Sequence, residues 1–267
     1  MSELSLLRIA RDRGVARIFL NRPQSRNALS QELAAQIKSA FEEEAGNAQT
    51  RAVVLGGLGN DFCAGADLVE MKAAGEAART HNLGDAKRLA AMFRAVHEFP
   101  RPVLARVQGG VFGGGAGLVA ACDLAVVAES AQFAFSEVRL GILPAIISPY
   151  VVRKIGEANA RRYFLTAERF GAQEAKAIGL AAKICPLAEL DSVVEDVLAH
   201  LLLGSPDAQR RVKELLNVIT GVSIDEAGRR TPSMIAEARA SEEGREGLRA
   251  FLEKRKPRWV AADEESA

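Results

Sequence analysis

Alternating strand and helix patterns predict an α/β fold with some parallel strand pairing. Buried strands are predicted by three short apolar runs, "RAVVLGG", "PVLARV" and "DLAVVAE". Apolar residues three and four positions apart predict helices between and after these runs. From Ile146 onward the strand pattern is rare, so the last third of the chain predicts a helical appendage on an α/β core.

The first elements are predicted from turn residues, prolines and a helix-capping residue. Two apolar runs on either side of the turn at Asp12-Arg13-Gly14 predict a β-hairpin, and Pro23 ends its second strand. Ser30 is a good N-cap and predicts a helix that continues to about Glu44. After the strand at "RAVVLGG", the segment "GDAKRLAAMFRAVHEF" predicts a helix that ends before two prolines.

The later elements complete this pattern. After "PVLARV" and a short helix from about Gly115, further strands are predicted at "DLAVVAE", at "QFAFSE" and near Ala181–Cys185. Helices are predicted at "LAELDSVVEDVLAHLLLG", "PDAQRRVKELLNVI" and "EGREGLRAFLEKRKP". The final "DEESA" predicts a disordered tail.

Composition excludes several classes of function. A formal net charge of +1 and 5% aromatic residues argue against nucleic acid and anionic membranes as partners. The N-terminus does not resemble a signal peptide, and no apolar window is long enough to span a bilayer. The dispersed cysteines predict reduced thiols in a cytoplasmic protein, and the dispersed histidines give no support for a metal. These residues are Cys63, Cys122, Cys185, His81, His97 and His200.

Six of the 23 glycines lie in "GGVFGGGAGLVAA", residues 109–121. The segment lacks the P-loop pattern. Gly115, Gly117 and Ala120 satisfy a dinucleotide fingerprint, but the loop does not leave its strand directly and the following helix is short. The context favours a helix N-terminus that binds negative charge, as an oxyanion hole does. The turn at 62–68 could supply a second N–H, although either turn alone could be a tight structural bend.

Five segments in this order resemble the enoyl-CoA hydratase/isomerase (crotonase) family: "LNRPQSRNAL", "GNDFCAGADL", "PRPVLARVQGGVFGGGAGL", "FAFSEVRLGILPA" and "EGLRAFLEKRKPRW". The resemblance implies a crotonase-type α/β spiral of ββα units. It implies a core over residues 1–200 with the CoA and oxyanion site. A helical region over 201–267 would complete the CoA site and the oligomer, a homotrimer or a dimer of trimers. The CoA thioester would be the substrate, with no cofactor.

The resemblance also implies roles for particular residues. The backbone N–H groups of Ala66 and Gly114 would form the oxyanion hole, and Glu137 would be the general acid/base. The implied CoA and substrate contacts are Arg26 near the phosphates, Ala28, Ala64 and Asp67 near the adenine end, Gly65, Leu68, Phe112 and Gly113 as further contacts, and Phe251 and Lys254 near the CoA of a neighbouring subunit.

One position departs from the family's best-known pattern. Common hydratases carry a second glutamate three residues after the second oxyanion glycine, where this chain has Gly117. Isomerases of the family use a single carboxylate, at the position that matches Glu137. A non-catalytic acyl-CoA-binding protein is a further alternative.

The motif "GGGAGL" together with "FAFSEVRLGILPAIISPYVVRKIG" is most similar to bacterial hydratases for branched or carboxylated enoyl-CoA, such as 3-methylglutaconyl-CoA hydratases. The leading prediction is therefore hydration of such a substrate. Its carboxylate would need a cation, for which Arg139, Lys72 and Arg161 are the candidates.

Overall fold

The computed structural model describes residues 5–260, and the tail "DEESA" lies outside them. The chain divides into two compact units. Among the described residues, the first unit comprises 5–99 together with Val103–Glu195, and the second comprises Pro100–Pro102 and 196–260. The domain division predicted after residue 200 stays a prediction.

The strands of the first unit form two sheets. Their bounds are β1 (Leu7–Asp12), β2 (Val15–Leu20), β3 (Ala52–Gly57), β4 (Val103–Val107), β5 (Gly110–Phe112), β6 (Leu124–Ala128), β7 (Gln132–Ala134), β8 (Phe170–Gly171) and β9 (Lys183–Cys185). The larger sheet has the order β1-β2-β3-β4-β6-β9, and the smaller has the order β5-β7-β8. The hairpin β1–β2 and the pair β7–β8 are antiparallel, and all the remaining strand pairs are parallel. The predicted α/β fold with parallel pairing is confirmed.

Ten helices accompany the strands in residues 5–260. Their bounds are α1 (Gln31–Gly46), α2 (Leu68–Glu76), α3 (Arg79–His97), α4 (Gly114–Ala121), α5 (Ser148–Thr166), α6 (Ala172–Ala177), α7 (Leu190–Leu203), α8 (Pro206–Ile219), α9 (Ile224–Ala240) and α10 (Glu242–Leu252). The predicted N-cap of α1 is confirmed, because the Ser30 hydroxyl accepts a hydrogen bond of 3.1 Å from the backbone N–H of Leu33.

The core of the first unit lies between the larger sheet and its helices. Every residue of β3 is buried, as a central strand with both faces covered requires. Helix α1 buries an apolar stripe that includes Leu33, Ile37 and Phe41. Phe41 meets the ring of Phe99 edge to face, with the centroids 5.5 Å apart. This packing joins α1 to the segment that leads into β4.

Six elements were not predicted individually from the sequence, and helices α5 and α6 are two of them. Strands β5 and β8 have three and two residues, which is too short for an alternating pattern. Helix α2 begins within the stretch interpreted as a turn, where the Asp67 side chain accepts from Val69 N–H. Helix α9 contains Pro232, which a pattern-based prediction treats as a helix break.

Candidate active site

The turns that follow β3 and β4 lie side by side. Cys63 and Val111 form an isolated parallel bridge between them. The Cys63 N–H donates to Gly110 O at 3.2 Å, and the Phe112 N–H donates to Cys63 O at 3.0 Å. The two glycine-rich turns, predicted to meet at one oxygen atom, are therefore held together by backbone hydrogen bonds.

This contact requires glycine at residue 115. A Cβ added there would lie 2.3 Å from the carbonyl oxygen of Cys63 and 2.9 Å from its Cβ. Real Cβ atoms do not approach a backbone oxygen so closely, so any other residue would push α4 away from the glycine-rich turn that follows β3. Gly115 thus sets the spacing between the two turns.

The backbone N–H groups of Ala66 and Gly114 make no hydrogen bond to any residue in 5–260. Ala66 is fixed on both sides, because Leu29 N–H donates to Gly65 O at 2.7 Å and Asp67 N–H donates to Leu29 O at 3.0 Å. Gly114 begins α4, whose first N–H groups have no acceptor within the helix. Both donors can bind an oxyanion, and the helix dipole favours negative charge at Gly114.

The carboxylate of Glu137 lies next to Gly113, directly before the Gly114 donor. Glu137 begins a short 3-10 helix, Glu137–Leu140, after β7. A Cβ added at Gly113 would lie 3.1 Å from Glu137 Oε1 and 3.6 Å from its Cδ. Glu137 Oε2 is buried and has no hydrogen-bond partner. Burial raises the pKa of the Glu137 carboxyl, and a backbone hydrogen bond within its own residue opposes the rise. A half-buried carboxylate with a raised pKa and one buried, unpartnered oxygen is suited to proton transfer.

Two apolar side chains, Leu29 and Phe93, form a wall against the N-terminal end of α4. A Cβ added at Gly114 would lie 2.9 Å from Leu29 Cδ1 and 3.8 Å from Phe93 Cζ. Phe93 stacks on Tyr150, with ring centroids 6.0 Å apart and an angle of 28° between the planes. Sequence reasoning missed this wall, because nothing in the local pattern around Phe93 distinguishes it from an ordinary core residue of α3.

Asn27 connects the segments that hold the first turn, and sequence reasoning missed it as well. Its side chain is fully buried, and its Nδ2 donates to Leu58 O and to Asp61 O, both at 2.9 Å. Its Oδ1 accepts from the Arg22 N–H at 2.9 Å. The adjoining Arg26 O accepts from Ala64 N–H at 2.9 Å, so Asn27 anchors the strand-like contact that carries the turn.

The Arg26 guanidinium lies over the ring of Phe112, the last residue of β5. The Arg26 guanidinium donates to the Asp61 carboxylate at 2.7 and 3.2 Å, and this hydrogen bonding raises the pKa of Arg26. Arg26 Cζ lies 5.6 Å from the centroid of the Phe112 ring, and Arg169 Cζ lies 5.4 Å from it. A CoA phosphate at Arg26 would have to compete with Asp61 for the guanidinium, and the predicted phosphate contact stays a prediction.

The other predicted CoA contacts are distributed over both units. In the first unit, Asp67 caps α2 and lies 3.1 Å from Arg22 Nη2, and Leu68 is 69% exposed at the start of that helix. In the second unit, Phe251 is 81% exposed on α10, and Lys254 follows that helix with a positive φ of 55°. The roles of Ala28, Ala64, Asp67, Leu68, Phe251 and Lys254 toward CoA stay predictions.

The three candidate cations differ in their surroundings. Arg161 forms an i,i+4 ion pair with Glu157 at 2.8 Å on the surface of α5. Lys72 is exposed on α2. Arg139 lies two residues after Glu137, and its Nη2 is 3.5 Å from the carbonyl oxygen of Thr166. Arg139 makes no ion pair within residues 5–260.

Cys63, Cys122 and Cys185 are all buried. Burial raises the pKa of the Cys63 thiol to about 12, so it stays protonated at neutral pH although it lies in the first turn. Within residues 5–260, no cluster of three His, Cys, Asp or Glu side chains is placed to hold a metal ion. No helix of that part of the chain has the length and apolar character needed to cross a membrane.

The mixed sheet, its paired glycine turns and the helices after it define a crotonase-type α/β protein. The chain belongs to the enoyl-CoA hydratase/isomerase family, whose model matches residues 10–262. It is an enzyme of that family, and its general activity is that of an enoyl-CoA hydratase/isomerase acting on acyl-CoA.

Sequence and structural similarity to individual proteins of the family supports this membership. A Thermus thermophilus relative with a provisional enoyl-CoA hydratase name is 37% identical, over 92% of this chain and 97% of the relative. The crystal structure of an enoyl-CoA hydratase from Shewanella pealeana is 39% identical, with a TM-score of 0.93 over 96% of this chain and 97% of that one. Pseudomonas aeruginosa AtuE is 36% identical, with a TM-score of 0.91 over 96% of this chain and 100% of its own.

Proposed function

We propose that this enzyme catalyses the reversible hydration of a 2-enoyl-CoA thioester with a branched or carboxylated acyl group, such as 3-methylglutaconyl-CoA. The observation that carries the proposal is the position of Glu137. One oxygen of its carboxylate is buried without a partner, and the carboxylate lies against Gly113, directly before the N–H of Gly114.

The thioester oxygen would accept hydrogen bonds from the N–H groups of Ala66 and Gly114. As water adds to the β-carbon, the electron pair of the double bond moves onto this oxygen and forms an enolate. Fixed N–H dipoles stabilise the enolate without reorganising, and the loss of one such donor typically costs ~2.7–4 kcal/mol of transition-state stabilisation.

The carboxylated acyl group is supported by the likeness of "LGILPAIIS" to hydratases for such substrates and by the surroundings of Arg139. This guanidinium follows Glu137 within the same 3-10 helix and has no carboxylate partner in residues 5–260. A substrate carboxylate would gain a charge-assisted hydrogen bond there. Arg161 suits this role less well because Glu157 already pairs with it.

Double-bond isomerisation is the second candidate, and the lack of a side chain at Gly117 favours it. A single carboxylate can take a proton from one carbon of the acyl chain and return it to another, with the same enolate as intermediate. Glu137 and the two N–H groups would have the same roles as in hydration, so product identity distinguishes the two reactions.

The test incubates the enzyme with 3-methylglutaconyl-CoA and with crotonyl-CoA, follows the conjugated thioester absorbance, and identifies the products. A hydroxyacyl-CoA product supports hydration, a migrated double bond replaces hydration by isomerisation, and tight binding without turnover indicates an acyl-CoA-binding protein. A higher kcat/KM for crotonyl-CoA than for 3-methylglutaconyl-CoA would contradict the proposed acyl group.

Glu137→Gln tests the proton-transfer role. We expect kcat to fall by ~10²–10⁴-fold, the usual contribution of a positioned acid/base group. The matched control is Glu43→Gln, an exposed glutamate that pairs with Arg11 at 2.7 Å. Near-normal turnover by Glu137→Gln would show that another group moves the proton.

A further inference from the structure

The space next to Gly117 is already filled. A Cβ added at Gly117 would lie 2.2 Å from Ile147 Cγ2 and 2.7 Å from Ile147 Cβ. The same atom would lie 3.1 Å from Cε1 of Phe93. The first two distances are far below any ordinary carbon contact, so Gly117 accepts no side chain while Ile147 holds its present position.

Ile147 is fixed in this position. It is 4% exposed, and it immediately precedes α5, where its carbonyl accepts from the N–H groups of Tyr150 and Val151. Phe93 on the other side is 2% exposed and stacked on Tyr150. The contact is therefore made by the tightly packed core and not by the far end of a flexible side chain.

One connection positions both Glu137 and Ile147. It leaves β7, forms the 3-10 helix that begins at Glu137, and reaches α5 after Ile147. Its Ile142 N–H donates to the carbonyl of Glu137 at 3.2 Å, which holds the intervening loop against the 3-10 helix. The residue that supplies the carboxylate and the residue that blocks position 117 are thus placed by the same loop.

We propose that Ile147 restricts this site to one carboxylate, because its side chain occupies the volume that any side chain at residue 117 would need. This proposal rests on the proposed function and deepens it. It makes Ile147 a residue that determines how many groups take part in proton transfer. Glu137 then carries both proton transfers of the hydration reaction.

The two transfers balance with one carboxylate. Ionised Glu137 takes a proton from water as the C–O bond forms at the β-carbon and the double-bond electrons move to the thioester oxygen. Glu137 then gives that proton to the α-carbon as the enolate collapses, and it is ionised again. One ionisation limits this cycle, so kcat/KM should fall on the acid side alone, whereas a site with two carboxylates requires one protonated and one ionised group.

The steric part of the proposal is that Ile147 excludes a side chain at residue 117. It is tested with Gly117→Ala, Ile147→Gly and the double variant. Glycine is needed at 147 because the Cβ of Ile147 is itself too close. We expect Gly117→Ala to lower Tm by about 2–10 °C in the parent enzyme and to have little effect in the Ile147→Gly background. Gly228→Ala is the matched control, since no atom lies within 4 Å of a Cβ added at that helical glycine.

Each outcome of this cycle decides the steric part. An unchanged Tm for Gly117→Ala overturns it, and so does an equal loss in both backgrounds. If Gly117→Ala yields no folded protein, recovery in the double variant supports the proposal, and failure of both overturns it. These readouts do not depend on turnover, so they remain decisive even if the enzyme hydrates no enoyl-CoA and the proposed function fails.

The chemical part compares Gly117→Glu/Ile147→Gly with Gly117→Gln/Ile147→Gly, which has nearly the same shape and no carboxylate. We expect the Glu variant to hydrate crotonyl-CoA at least about tenfold faster than the Gln variant, part of the ~10²–10⁴-fold typical of a positioned acid/base group. For the Glu variant, kcat/KM should also fall on the alkaline side of the pH profile. Equal rates and identical profiles for the two variants would overturn the proposal.

Discussion

Glu137 is held in an environment that disfavours its charge. Its Oε2 is buried without a partner, and desolvation raises the pKa of the carboxyl. Most buried polar atoms in proteins have a hydrogen-bond partner, so the unpartnered Oε2 of Glu137, next to Gly113, supports the proposed role of this residue. The free-energy cost of this arrangement lowers the stability of the folded state, as is common where a site needs a reactive group.

The stability of Glu137→Gln should therefore depend on pH. Because the folded pKa is raised, the carboxyl stabilises the fold below its unfolded pKa, and this contribution is lost as the pH rises through the folded pKa. Above that pKa the ionised side chain is destabilising, and glutamine removes the charge. We expect Glu137→Gln to have the higher Tm at neutral pH and a Tm close to the parent near pH 4, measured by scanning calorimetry. A lower Tm at neutral pH would contradict the argument.

Asn27 is a positioning residue, because it contacts the first turn through the backbone and not the substrate. Asn27→Asp keeps the acceptor for Arg22 N–H but loses both donors and places an oxygen against the carbonyls of Leu58 and Asp61. Leaving such buried acceptors unsatisfied should destabilise the fold by ~1–3 kcal/mol. We also expect kcat to fall more than KM rises, since the Ala66 donor is displaced.

The control for this prediction is Asn47→Asp. Asn47 uses only its Oδ1, which accepts from Gln49 N–H at 3.0 Å, so aspartate preserves the bond. Denaturant unfolding and steady-state kinetics measure the two effects. If Asn27→Asp changed stability while kcat stayed at the parent value, Asn27 would be structural alone.

At the scale of elements, the sequence predicted those helix and strand boundaries that depend on residues close together in the chain. The β1–β2 turn depends on adjacent residues, and the start of α1 depends on Ser30, so both were predicted correctly. The pairing of the two glycine turns was proposed from their positions after neighbouring strands. The contact between Gly117 and Ile147 joins residues of two separate elements, and only the folded chain shows that one excludes a side chain on the other.

Gly113→Ala tests how the start of α4 is positioned. Gly113 has φ +47° and ψ −115°, a conformation that L residues rarely adopt, and a Cβ there would meet Glu137 Oε1. We expect a stability loss of ~1–3 kcal/mol from backbone strain. We also expect a larger loss in kcat, because the Gly114 N–H and Glu137 are both displaced. Unfolding and turnover are measured together, and a fully active Gly113→Ala would contradict this geometry.

At the scale of the whole molecule, the second unit exposes apolar side chains that a monomer would leave in water. Phe251 and Leu252 are 81% and 80% exposed at the end of α10, and Leu248 is 58% exposed one turn earlier. Exposed apolar patches mark interaction surfaces. The resemblance to the family implies a homotrimer or a dimer of trimers, and we propose that another copy of this chain covers these side chains.

We therefore expect the protein to form a trimer or a dimer of trimers of its 28.5 kDa chain, as measured by light scattering coupled to gel filtration. The variant Phe251→Ser/Leu252→Ser should weaken this assembly by removing apolar area, at ~25 cal/mol for each Å² that the interface buries. It should also raise KM for the acyl-CoA, because Phe251 is predicted to lie near the CoA of a neighbouring subunit. Arg249→Ser, an exposed polar change on the same helix, is the control and should alter neither quantity. A monomeric parent enzyme with full activity would contradict both the assembly and the role assigned to Phe251.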